Sequence, residues 1–123
     1  LTCASLDCED LMKKFVALLL CGLAVSSCTT TRENFETGAA ALAGSKSLRR
    51  ASIESCTAKA RHNSAYARHN VALLMDVKDS QVDRLFCARL VNSVASGRLT
   101  YDEAMSMRYG HLTQNFVKII QGR

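Results

Sequence analysis

The chain carries no proline, and it has no long alternating β-branched stretch. Proline is the strongest interrupter of a helix, because it lacks the backbone N–H and clashes with the preceding turn. A chain of 123 residues without one, dominated by Ala, Leu, Ser and Arg, is free to be helical throughout. The apolar pattern agrees. From Leu48 to about Val77, Ile53, Cys56, Ala60, Ala67, Val71 and Leu74 recur at threes, fours and a seven, the spacing of one helix face. An internal repeat lies within it: Ala60-Arg61-His62-Asn63, then Ala67-Arg68-His69-Asn70. His62 and His69 fall away from the apolar stripe and should face solvent or a partner.

Further helices follow. Ser80 with Asp83 reads as an N-cap and an acidic first turn. The segment beyond it, to about Ser96, is nearly encircled by Val82, Leu85, Phe86, Leu90, Val91 and Val94, so it should be the most buried helix. Gly97 suits its C-terminal end. Thr100 and Glu103 make a capping box for a short helix stopped by Gly110. Thr113 starts a last helix with Phe116, Ile119 and Ile120 on its apolar face. The expectation is an all-α fold: a small bundle of about four helices over residues 47–123. Residues 28–46, rich in Thr, Ala, Gly and Ser, read as a flexible tether.

The N-terminal region has another grammar. Lys13 and Lys14 precede an apolar run of eleven residues, Phe15 to Val25. A spanning helix needs about 20 apolar residues, so the run fits the core of a signal peptide better than an anchor. Val25-Ser26-Ser27-Cys28 then resembles the lipobox of bacterial lipoproteins. That resemblance implies a signal peptide over residues 12–27, cleavage between Ser27 and Cys28, and a diacylglyceryl group on the Cys28 thiol. Thr29 in place of Asp after the cysteine implies the outer membrane, facing the periplasm, in a cell that has one. Ala24-Val25-Ser26 is a competing site for ordinary signal cleavage. Asp7, Glu9 and Asp10 oppose export, so Met12 is read as the start and residues 1–11 as a misassigned leader.

The signal also sorts the six cysteines. Cys3 and Cys8 fall in the leader, Cys21 in the signal and Cys28 at the lipid site. Cys56 and Cys87 remain, and two thiols in an oxidising compartment are expected to pair. A loop of this length stabilises by roughly 3–4 kcal/mol in the chain-entropy treatment.

Chemistry is sparse. His62 and His69, seven apart on a helix, would stand about 10.5 Å apart along the axis, too far to share one metal ion. No GxSxG elbow, CxxC pair, haem motif or phosphate loop occurs. The carboxylate pairs Asp79/Asp83 and Asp102/Glu103 are each accounted for by helix starts. No enzyme, metal or cofactor beyond the covalent lipid is expected. The formal net charge is +5. Beside a membrane, that charge points to an anionic headgroup or an acidic envelope protein rather than to nucleic acid. Gly97-Arg98-Leu99-Thr100-Tyr101-Asp102-Glu103 with Arg108 loosely resembles the SHOCT helical module, which is associated with oligomerisation. It departs from that module at Ala104, where an aromatic is usual.

The reading is therefore a membrane-anchored, non-catalytic envelope lipoprotein serving as an interaction module. Two alternatives stand beside it: a plasmid- or phage-borne exclusion or lysis lipoprotein, and a secreted periplasmic binder or inhibitor.

Overall fold

Thr100, Thr113, Ser45 and Ser64 each turn a side-chain oxygen onto a backbone N–H three residues on, and so start four of the helices. The computed structural model describes residues 30–123. Six helices occur there: α1 (Arg32–Gly44), α2 (Lys46–Ala60), α3 (Ala65–Met75), α4 (Val82–Ala95), α5 (Tyr101–Arg108) and α6 (Gln114–Ile120). No strand occurs among the described residues. The all-α expectation holds, with six helices where about four were foreseen.

The two additions have distinct causes. The expected tether is helical from Arg32 to Gly44. Phe35, Ala39 and Leu42, at helical spacing, are its half-buried positions and give it a narrow contact face. That face lies against α2 and α4. At the N-terminal end, Phe35 meets the Tyr101 ring edge-on at 5.9 Å. Arg32 stands over the same ring at 4.9 Å and pairs with Asp102 at 2.7 Å. At the C-terminal end, Arg49 Nη1 donates to the carbonyls of Leu42 and Ala43, at 2.6 and 3.0 Å. A cation there answers the negative end of the helix dipole.

The second addition is a break in the expected Leu48–Val77 helix. Residues 61–64 turn, with His62 and Asn63 N–H groups bonding back to Lys59 and Ala60 carbonyls. Ser64 Oγ then accepts from Ala67 N–H at 3.2 Å and restarts the helix as α3. The break falls within the one seven-residue gap of the apolar stripe, and it re-aims the second helix: Ala72 and Met75 are buried, whereas the stripe residues Ala67 and Leu74 are exposed. The expected cap at Ser80 is also corrected. Gln81 occupies the N-cap of α4 with no side-chain cap bond.

Helix α4 is the hub, touching α1, α2, α3 and α6. Val82, Asp83, Cys87, Val91 and Ser93 are buried along it. The core joins Ala72, Met75, Val82, Leu99, Phe116, Ile119 and Ile120, with Leu85, Phe86, Leu90 and Val94 half-buried against it. Phe86 and Phe116 meet edge-to-face at 6.4 Å. Cys56 and Cys87 are bonded, with Cα atoms 5.7 Å apart, and clamp α2 to α4. Residues 32–123 form one compact unit holding this core and the bridge.

Gly97 (φ 75°) ends α4 in the left-handed region. The chain then turns back so that Leu99 N–H reaches the Ser93 carbonyl at 3.1 Å. Leu99 is thereby buried to 2 %. Gly122 is favoured by its backbone, and a side chain there would also crowd a neighbour. Its φ is +77°, and a Cβ there would lie 3.1 Å from the Arg89 guanidinium. That guanidinium donates to the Ile120 carbonyl and closes the end of α6.

Candidate functional site

Cys28 and the cleavage junction at Ser27 lie outside the described residues, as does the signal segment 12–27. The described unit offers three surface features of distinct chemistry.

The first is the corner around Glu103. Thr100 N–H donates to Glu103 Oε2 at 3.1 Å, and Glu103 N–H donates to Thr100 Oγ1 at 3.3 Å, so the expected capping box is present. The carboxylate also does something local spacing could not reveal. Asn115 Nδ2 donates to Glu103 Oε1 at 2.8 Å and to the Arg98 carbonyl at 3.0 Å. One carboxylate thus ties the starts of α5 and α6 to the preceding loop. The Thr100 backbone bond, above all, holds Glu103 below the usual carboxylate range, with Asn115, Thr100 and Thr113 side chains helping. The segment that resembles the SHOCT module is this corner.

The second is a largely apolar cavity of about 130 Å3, lined in part by Ala60, Ala67, Val71, Val82 and Phe86. It brings the end of α2 against the start of α4. Arg68 and Asp83 stand in its wall as a bidentate pair, Nε to Oδ1 at 2.9 Å and Nη2 to Oδ2 at 2.6 Å. Asp83 stands in the first turn of α4, as expected, and it is also buried with its carboxylate held by Arg68. The two hydrogen bonds that Arg68 donates to the Asp83 carboxylate raise its guanidinium above its ordinary value. Asp79 likewise pairs with His69, Nδ1 to Oδ2 at 2.9 Å. His69 is exposed on α3, as the helix-face argument expected; His62 is also exposed, but it lies on the 61–64 turn and not on a helix.

The third is basic. A recess of about 320 Å3 between α2 and α4 is lined by Lys46, Arg49, Arg50, Ile53, Glu54, Arg84 and Asn92. Lys46, Arg50 and Glu54 follow one another at helical spacing along one face of α2. A second recess, also about 320 Å3, shares Asn92 and contains Arg89 and Arg98. Sequence reasoning noted the basic charge but missed this gathering, because Arg84 and Arg89 lie on a different helix from Arg49 and Arg50.

Among the described residues, no group of three or more His, Cys, Asp or Glu side chains could hold a metal ion. No described helix is long and apolar enough to cross a membrane. No protein family, curated protein or solved structure gives a significant match to this chain.

Proposed function

We propose that this chain is a non-catalytic lipoprotein of the bacterial cell envelope, anchored through acyl chains on Cys28, whose helical domain is an interaction module. The motif that supports the anchor is Val25-Ser26-Ser27-Cys28 behind Lys13, Lys14 and the apolar run. The single structural observation that carries the reading is the Cys56–Cys87 bridge between α2 and α4. Such bridges persist in oxidising compartments, which is where a signal peptide would deliver the chain. The helix that begins at Arg32 supports a second point. Three residues separate it from Cys28, and the four residue-to-residue steps reach at most ~14 Å. A domain so anchored is held close to the bilayer rather than on a long leash.

Intact-mass measurement of the mature protein from membranes tests the proposal. The expected species starts at Cys28, carries acyl chains and lacks the two hydrogens of the bridge. A mass that retains residues 1–27 overturns it. A start at Ser27 without acyl chains would identify a released periplasmic binder instead.

A further inference from the structure

We infer that the two adjoining basic recesses, one between α2 and α4 and one between α4 and the end of α6, are a docking face for acidic phospholipid headgroups of the membrane to which the chain is proposed to be anchored. The inference deepens the anchored-lipoprotein reading, but its physical basis is separate. Six cations, Lys46, Arg49, Arg50, Arg84, Arg89 and Arg98, line two recesses that meet at Asn92, and Glu54 is the one carboxylate lining either. Clusters of four to eight Lys and Arg beside a membrane are attracted to its anionic leaflet by about 1 kcal/mol per residue.

What sets these cations apart is that they gather around two adjoining recesses, and their present partners leave the charge largely available. Arg32 and Arg68 are neutralised by Asp102 and Asp83. Arg49 and Arg89 donate to the carbonyls of Leu42 and Ala43 and of Ile120, bonds that hold the side chains without cancelling their charge, and Arg98 donates to the main-chain oxygen of Arg123. Among the described residues, Lys46, Arg50 and Arg84 form no ion pair, and all three are exposed. The face therefore combines cations already fixed in place with free ones on α2 and α4. Guanidinium groups match phosphate oxygens in geometry as well as charge. The short link from Cys28 brings the domain within reach of the headgroups, so docking would convert a point anchor into a seated orientation.

Arginine footprinting of the intact natural protein tests this. The protein is mixed with vesicles of phosphatidylcholine alone or with phosphatidylglycerol added, treated with phenylglyoxal, and read by peptide mass spectrometry. Arg50 and Arg84 should be modified roughly fivefold more slowly on the phosphatidylglycerol vesicles, the ratio that about 1 kcal/mol per residue implies. Arg61 on the 61–64 turn and Arg108 at the end of α5 should keep their rates. High salt should remove the protection. Equal rates for Arg50 and Arg84 on both vesicles overturn the inference, as does equal slowing of all four arginines. Equal protection by free glycerol 1-phosphate over phosphatidylcholine vesicles overturns the membrane as the source of the anion. Failure of the protein to stay on phosphatidylcholine vesicles would count against the Cys28 anchor alone, and the comparison of arginine rates would still decide the docking face.

Discussion

Helix α2 runs for 15 residues beside α4 and buries only Thr57. Helix α6 has 7 residues, lies on the same hub, and buries Phe116, Ile119 and Ile120. The shorter helix supplies more of the core than the longer one. Helix α2 is instead held by a covalent bond, and its exposed face is left free to carry Lys46, Arg50 and Glu54. A bridge that closes a 31-residue separation acts largely by restricting the unfolded chain. Buried aliphatic side chains act by leaving water. The division separates jobs: apolar packing fixes α3, α4 and α6 as a core, and the disulfide adds a polar helix that the core alone would hold weakly.

Removing the bridge is the largest test of that division. Cys56→Ser with Cys87→Ser should cost about 3–4 kcal/mol in urea unfolding and loosen α2 ahead of α6 in hydrogen exchange. Simultaneous loss of protection in both helices would show that the core does not stand without α2. The reciprocal change is Ile120→Ala. This side chain is 1 % exposed, and its truncation should cost about 3 kcal/mol while leaving the disulfide formed. A cost below about 0.5 kcal/mol, a value ordinary for surface positions, would remove α6 from the core.

Smaller effects probe the joints. Thr100→Ala should cost about 1 kcal/mol, because it removes a helix cap. Its cost should depend on pH. Glu103 has its pKa lowered in the folded state, so its contribution is present above the unfolded value near 4.3 and disappears as pH falls through the folded one. The difference between natural and variant proteins should therefore shrink in acid, and an unchanged difference there would show that Glu103 does not take part. The smallest global effect is expected from Phe35→Ala. Phe35 is half-buried on an edge helix, so less than about 1 kcal/mol should be lost. Amides of α1 should exchange faster, while those of α4 hold. Uniform acceleration would mean that α1 belongs to the same cooperative unit as the core.

Legibility in the sequence followed locality. The capping box at Thr100 and Glu103 was readable because both partners lie within one turn. The Cys56–Cys87 pair followed once the signal had accounted for the other thiols. Helix α1 was missed because Phe35, Ala39 and Leu42 make a thin stripe among Gly and Ala, weaker than the small-residue composition around it. The break after Ala60 was missed because a seven-residue gap is compatible with an unbroken helix, although α3 in fact buries Ala72 and Met75 rather than Ala67 and Leu74. Asn63-Ser64 was the available cue, since both side chains compete for backbone groups and favour turns and caps. The basic face was visible as charge but not as a place.

By itself the sequence determined the helical class, two of the helix starts, the bridge and the lipobox resemblance that points to an anchor. Each follows from composition, from contacts three or four residues apart, or from elimination. The tertiary structure alone decided how those helices cross and where the polar partners meet. Arg32 finds Asp102 across 70 positions, Arg68 finds Asp83 across 15, and Asn115 finds Glu103 across 12. Such pairs depend on how helices cross, and crossing is set by the shapes of apolar faces packed to solid density, which no local pattern encodes.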